Sequence, residues 1–309
     1  MDGKVLLFPG QGAQFVGMGR SLVERYPAAR AVFDQADEAL GFALSELCWN
    51  GPEDRLVQTE FAQPAILTHS LAAWAALNAE RRTGVRAAVG HSLGEWSALV
   101  AAAALTLADA VRLVRLRGRL MQQATPFGVG AMAAILGLDG AAVAQACAEA
   151  GCGEVVSVAG DNDGSNQVIA GHAAAVQRAS ELCLARGALR ALPLPVSAPF
   201  HCALMAPAAD PLREALRAVR FGPLAFPVRS TADDVWHGEA DTTRELLVAQ
   251  LTQPVLWRGA IAELAAAGAT AALALGPAGS VPGMVKRTAR SLKVQVVCEA
   301  DELAAVMAA

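Results

Sequence analysis

Short runs of β-branched and aliphatic residues alternate with alanine-leucine stretches at helical spacing along most of this 309-residue chain. That alternation predicts an α/β fold with a largely parallel sheet, because a strand followed by a helical crossover returns parallel to its predecessor. Strands are expected at residues 5–8, 85–89, 225–229, 271–275 and 293–298, and helices at 67–81, 95–105, 108–123, 242–251 and 261–267. The middle of the chain reads differently. It runs strand 131–138, helix 141–150, strand 155–158, a turn rich in Gly, Asp and Asn, strand 167–170, helix 173–186 and strand 188–194. This βαββαβ order is the split pattern of a ferredoxin-like unit, so a small inserted subdomain is expected at 127–197. Gly128 and Gly130 bound it on one side, and Pro193, Pro195 and Pro199 on the other.

Composition narrows the function classes. The hydrophobic share is 54%, but much of it is alanine, and the longest apolar stretch, 98–108, is broken by Thr106. Such a stretch falls short of the roughly 20 residues that span a bilayer. The apolar run at 5–8 is too short for the core of a signal peptide. A net charge of −4, from 25 basic and 29 acidic side chains, argues against a nucleic-acid binder that works by whole-surface attraction. The six cysteines form no C-x-x-C pair, and a chain of this size needs no disulfide framework, so a reducing cytoplasm is the expected location. No metal site is expected either, because the five histidines show no i, i+4 pairing and no cysteine cluster accompanies them.

The strongest chemical signal is Gly90-His91-Ser92-Leu93-Gly94, a G-x-S-x-G between an expected strand and an expected helix. Its glycines permit a sharp turn, which projects the serine hydroxyl at the strand end while the helix N-terminus offers free N–H groups. The alternative is a plain strand-to-helix turn. A serine nucleophile needs a base. His91 adjoins the serine and points elsewhere at a sharp turn; His69 lies in an alanine-leucine helix, His172 at a turn, and His237 in the polar loop 233–239. His201 remains, in a loop restricted by Pro195 and Pro199, where it is either the base or a structural loop histidine.

Two further elements are weaker alone. The loop Gly10-Gln11-Gly12 follows the first expected strand. It is either a strand-end turn or a backbone donor that completes an oxyanion hole with the N–H of Leu93. It is not a phosphate loop, since G-x-x-x-x-G-K-[ST] is absent. On the helix at 108–123, Leu113, Leu116 and Leu120 mark a buried stripe, Arg112, Arg115 and Arg119 share another face, and Arg117 falls nearer the stripe. An arginine turned inward is either paired with a structural carboxylate or set to receive an anionic ligand.

Taken together, these pieces resemble the malonyl-CoA:acyl-carrier-protein transacylase family over nearly the whole chain. The matching motifs are Phe8-Pro9-Gly10-Gln11-Gly12, Gln63-Pro64-Ala65, Gly90-His91-Ser92-Leu93-Gly94-Glu95, Arg117-Gly118 with Met121-Gln122, and Gly130-Ala131-Met132-Ala133. The stretch 193–205 around His201, Gln250-Leu251 with Pro254-Val255 and Trp257, and Gly276-Pro277 ahead of Lys286-Arg287 continue the series. The resemblance implies a hydrolase-like α/β core at 1–126 and 198–309, with Ser92 as acylated nucleophile and His201 as its base. It further implies an oxyanion hole from the N–H groups of Gln11 and Leu93, a main-chain carbonyl at Gln250 orienting the imidazole, and Arg117 gripping the malonyl carboxylate. Gln63, Met121, Met132, Asn162 and Phe200 are the implied acyl pocket, and Leu93 and Phe200 are similar to residues of malonyl-selective members.

The implied reaction is a ping-pong transfer from malonyl-CoA to a phosphopantetheinylated acyl carrier protein, in fatty-acid or polyketide synthesis, with no cofactor and no metal. A hydrolase on the same scaffold is the alternative, and Arg117 argues against it. An acidic carrier protein would suit a basic rim of Arg186, Arg190, Lys286, Arg287 and Arg290; a plain solvated surface is the other reading. The chain departs from the family pattern in three places. Gly160, Asp161, Asn162, Asp163, Gly164 and Ser165 replace an Asn-x-Asn-x-Pro-x-Gln stretch whose glutamine falls at Asn166 or Gln167; Ser230 or Thr231 replaces an asparagine; and Ala278 replaces a glycine.

Overall fold

The structure, a computed structural model, describes residues 3–308. Among the described residues, nine strands form two sheets: β1 (Lys4–Phe8), β2 (Val85–Gly90), β3 (Gly130–Leu136), β4 (Val156–Asp163), β5 (Asn166–His172), β6 (Arg190–Pro193), β7 (Val228–Arg229), β8 (Ala271–Leu275) and β9 (Lys293–Val297). The larger sheet has the order β7-β2-β1-β8-β9 and is parallel throughout. The smaller has the order β4-β5-β3-β6 and is antiparallel. The chain is thus a mixed α/β protein with a parallel sheet and a small antiparallel one.

Period-two alternation explains why the parallel sheet is buried on both faces. On β1, Leu6 and Phe8 enter one apolar cluster while Val5 and Leu7 enter another. The neighbouring strands divide in the same way: Ala88, Leu273 and Leu275 join the first cluster, and Ala87, Val89, Ala272 and Ala274 the second. Helices cover each face. A third, separate cluster lies between the small sheet and the helices Gly140–Ala150 and Ala173–Ala185, drawing on Ile135, Val143, Ile169 and Val176. Among the described residues, no helix is long and apolar enough to cross a membrane.

Four expectations need correction. The helix expected at 67–81 is Thr59–Ala76, followed by a separate turn of helix, Ala79–Arg82. It contains Pro64, which forfeits one backbone hydrogen bond; burial of nearly every side chain from Thr59 to Ala73 outweighs that loss. The strand expected at 225–229 shrinks to Val228–Arg229. Pro227 has no N–H for the ladder and contributes only its carbonyl, to Ala88 N–H at 2.9 Å.

The third concerns the polar turn after 158, most of which is strand: β4 continues to Asp163 because it pairs with β5 on one side and bridges to Val255 on the other. Finally, the buried stripe of the helix Leu107–Gln123 is centred on Leu113, Val114, Arg117, Gly118 and Met121, and Leu116 and Leu120 are only half-buried. Gly118 accounts for the rotation. A Cβ there would lie 2.6 Å from the Thr59 carbonyl oxygen, so only glycine lets this helix approach the start of Thr59–Ala76.

Candidate active site

Ser92 sits immediately after β2, in the turn that starts the helix Gly94–Ala101. Two glycines make this turn possible. A Cβ at Gly90 would lie 1.9 Å from the Gly94 carbonyl carbon, and one at Gly94 2.2 Å from the Phe8 oxygen. Ser92 itself is held at φ 52°, and His201 at φ 60°, in the left-handed region that non-glycine residues rarely occupy. The two strained residues meet: Ser92 Oγ lies 2.7 Å from His201 Nε2.

Polarity along this contact is defined by its far end. His201 Nδ1 is 2.8 Å from the Gln250 carbonyl oxygen, an acceptor only, so Nδ1 carries the proton and Nε2 accepts from the serine. Burial, reinforced by the positive charge of Arg117, pushes the imidazole pKa down to about 3, so the ring is a neutral base. Arg117 Nη2 donates in turn to Ser92 Oγ at 3.2 Å. The result is one directional chain from guanidinium to hydroxyl to imidazole to carbonyl.

Arg117 is 1% exposed and forms no ion pair among the described residues. Two amides hold its fork: Nη1 donates to Gln63 Oε1 and Nη2 to Gln250 Oε1, both at 2.9 Å. Gln63 also reaches Met121 Sδ at 3.7 Å. Desolvation lowers the guanidinium pKa to about 10, against an opposing contribution from the Glu95 charge. Of its five N–H donors, Nε–H has no partner. A buried cation balanced only by amides and a distant carboxylate is electrostatically suited to a small anion.

The remaining expected residues are placed as follows. No hydrogen bond within the described residues engages the backbone N–H of Gln11 or of Leu93, and the Gln11 side chain anchors on Thr59 Oγ1 at 3.2 Å. Leu93, Met121, Met132 and Phe200 are all buried members of the main apolar cluster. Asn162 Oδ1 accepts from His91 Nε2 at 2.8 Å, which turns His91 away from the serine. A cleft of about 550 Å³ is lined by Gln11, Thr59, Arg119, Gln122, Phe127 and Ser197.

The structure also settles or changes several details. Gln167 closes the 160–165 segment, with Nε2 reaching Asp161 Oδ1 at 2.8 Å and the Asp163 carbonyl at 3.1 Å; Asn166 does not. Two members of the basic rim are engaged within the fold: Arg287 pairs with Asp163 at 2.7 Å and Arg186 with Glu149. One trio of potential metal-ligand atoms comes together that sequence spacing did not reveal, from His69, Cys298 and Glu299, within 4.8 Å of one another. Its carboxylate is already an acceptor for Gly19 N–H and the Ser21 hydroxyl.

His237 lies in its polar loop, but buried, 2.9 Å from Glu95. The second role of Gln250, whose side chain joins Arg117 to the Ser92 carbonyl, also escaped the sequence. Glu95 did leave a signal: a carboxylate three residues after the serine, in an apolar helix, must be paired if buried.

A hydroxyl bonded to a neutral imidazole, in a sharp turn at the end of a parallel strand, is an arrangement suited to acyl transfer. A model of the acyl transferase domain family matches residues 5–306, and the chain belongs to that family. It is 44% identical over 301 residues to the malonyl CoA-acyl carrier protein transacylase of Escherichia coli K12, covering 97% of each chain. Identity to the transacylase of Bacillus subtilis strain 168 is also 44%, over 96% of this chain and 94% of that one. Among solved structures, a malonyl-CoA:acyl carrier protein transacylase from Xanthomonas oryzae superposes with a TM-score of 0.96 at 41% identity, covering 100% of this chain and 98% of that one. A malonyl-transacylase in complex with a type II polyketide synthase acyl-carrier protein also gives 0.96, at 40% identity and 99% coverage of both.

Proposed function

We propose that the chain moves a malonyl group from coenzyme A to the phosphopantetheine thiol of an acyl carrier protein, through a malonyl ester on Ser92. The observation that carries this reading is Arg117: a buried guanidinium with no carboxylate partner among the described residues, 3.2 Å from the candidate nucleophile. Malonyl presents a free carboxylate at a short, fixed distance from its thioester carbonyl. A bidentate guanidinium-carboxylate pair rewards that group and leaves the cation unmatched when the acyl group is neutral.

In the first half-reaction His201 Nε2 takes the Ser92 proton and Oγ attacks the thioester carbonyl. The N–H groups of Gln11 and Leu93 receive the developing oxyanion, while Gln250 holds the imidazolium through Nδ1–H. Collapse breaks the C–S bond, and the imidazolium returns its proton to the departing coenzyme A sulfur. In the second half the carrier thiol gives its proton to His201, attacks the malonyl-serine ester and displaces Ser92, which recovers the proton. The chemistry calls for no metal or prosthetic group. Leu93, Met121, Met132, Asn162 and Phe200 are assigned to the acyl pocket or its supports, with Gln63 as a holder of Arg117.

The finer architecture belongs to the same reading. The catalytic core is hydrolase-like, at 1–126 and 198–309, and the insert at 127–197 is ferredoxin-like: counted within the insert, its strands lie in the order 2-3-1-4. Placing the protein in the cytoplasm suits its free thiols and a coenzyme A substrate. The test is sequential addition. Malonyl-CoA alone should give a malonylated Ser92 peptide, and holo-carrier protein should then discharge it to malonyl-carrier protein. Absence of an acyl-serine, or discharge to free malonate instead of carrier protein, contradicts the proposal.

A further inference from the structure

Behind the Ser92 turn lies a buried acidic group that the transfer steps do not use. The Glu95 side chain is wholly buried and accepts four hydrogen bonds: from Ser230 Oγ at 3.1 Å, Thr231 N–H at 2.9 Å, Thr231 Oγ1 at 3.1 Å and His237 Nε2 at 2.9 Å. His237 is the only ionisable side chain within hydrogen-bonding reach of it among the described residues. The adjoining charges are self-contained, since Arg229 pairs with Asp234 and Glu263. Burial alone would push the Glu95 carboxyl up; the His237 contact first, then Thr231, outweigh that and hold it below the usual carboxylate value.

This cluster is tied to the site on both sides. Glu95 N–H donates to the Ser92 carbonyl at 3.0 Å, and the same carbonyl accepts from Gln250 Nε2 at 3.1 Å. The Thr231 hydroxyl, already on Glu95, also lies 3.3 Å from the Gly90 carbonyl. Of the carbonyls on either side of His91, that of Gly90 thus lies against the Thr231 hydroxyl held by the Glu95 carboxylate, and that of Ser92 accepts the Glu95 backbone N–H, with Ser92 in its left-handed conformation at this turn. The Glu95 charge also offsets part of the desolvation of Arg117.

We propose that His237 is a positioning residue for acyl transfer, acting through Glu95: its Nε2–H holds the carboxylate in place against Thr231 and Ser230, and the Thr231 hydroxyl lies on the Gly90 carbonyl of the nucleophile turn. The inference rests on the reading of Ser92 as the acylated residue. The ring is well supported for this duty, because Nδ1 lies 3.4 Å from Thr243 Oγ1, and a hydroxyl suits it whether it accepts or donates. Two hydroxyls, one N–H and an imidazole thus share the carboxylate.

The test compares His237→Ala, His237→Gln and Glu95→Gln with the wild type. Steady-state malonyl transfer is measured alongside the rate at which a fluorophosphonate probe labels Ser92, a readout that does not depend on the acyl group. His237→Ala should lower kcat and the labelling rate roughly tenfold, the scale of one charge-assisted hydrogen bond, with little change in KM. His237→Gln, which restores an N–H at the Nε2 position, should recover most of both. Glu95→Gln should match His237→Ala, and the double variant should be no worse than Glu95→Gln.

Wild-type kcat and labelling rate in His237→Ala, even with a lowered melting temperature, would overturn the positioning role. So would effects of the two substitutions that simply add. If the wild type labels at Ser92 but transfers no malonyl group, the functional reading fails while the labelling rates still decide this inference.

Discussion

Arg117 Nη2 lies 3.2 Å from Ser92 Oγ, and both donate or accept within one chain of hydrogen bonds that ends at the Gln250 carbonyl. The buried guanidinium and the candidate nucleophile are thus in direct contact. An incoming carboxylate must compete with Gln63, Gln250 and Ser92 for the guanidinium, and a charged acceptor outcompetes two amides and a hydroxyl.

The imidazole predicts an unusual pH dependence. With its pKa lowered from 6.5 to about 3 by burial and by Arg117, His201 is already a competent neutral base at pH 5. Ser92 acylation in the free protein should show no titration near 6.5. Stability carries the opposite sign: between about 3 and 6.5 the unfolded chain binds a proton at this histidine and the folded one does not, so stability falls as pH drops through that window. Stopped-flow acylation from pH 5 to 8, with denaturant melts across the same range, checks both. An acid limb in wild-type acylation centred near 6.5 would refute the first.

Gln250 serves two residues through different atoms. Its carbonyl orients His201, while its side chain joins Arg117 to the Ser92 carbonyl. Gln250→Glu keeps the carbonyl and places a permanent carboxylate on the guanidinium. Malonyl transfer should fall at least about tenfold, and acetyl transfer much less, because the anion-binding position is internally neutralised. Unchanged kcat/KM for malonyl-CoA would contradict the placement of the carboxylate on Arg117.

Gly118 controls where Arg117 can be. A Cβ at this position meets the Thr59 carbonyl oxygen at 2.6 Å and Glu60 Cα at 2.8 Å, backbone atoms that cannot swing aside. Gly118→Ala should cost about 1–3 kcal/mol in overpacking. It should also lower the malonyl-to-acetyl ratio, because the helix carrying Arg117 must shift. Thermal unfolding and paired acyl-CoA assays read the two effects.

Much of this was legible in the sequence for a physical reason. G-x-S-x-G between a strand and a helix encodes a turn that few other residues permit, so Ser92 stood out locally, and the spacing of the leucines placed Arg117 near the buried stripe. The remainder depends on contacts between distant segments. His237 and Glu95 are separated by 142 positions and Gln250 and Arg117 by 133, and a polar residue in a polar stretch gives no sign that it will be buried. Composition also misled at 159–163, where Gly, Asp and Asn suggest a turn. Pairing with β5 and with Val255 makes them strand, and that places Asn162 against His91.

The central claim is that Arg117 selects a carboxylate-bearing acyl group for Ser92, and a competition experiment addresses it most directly. Equimolar malonyl-CoA and acetyl-CoA are mixed with wild-type protein and with Arg117→Ala, and the acyl group on Ser92 is identified by peptide mass. The wild type should carry malonyl almost exclusively. Arg117→Ala should lose about 1.5–3 kcal/mol of malonyl transition-state stabilisation and shift toward acetyl. The same malonyl preference in both proteins would contradict the account.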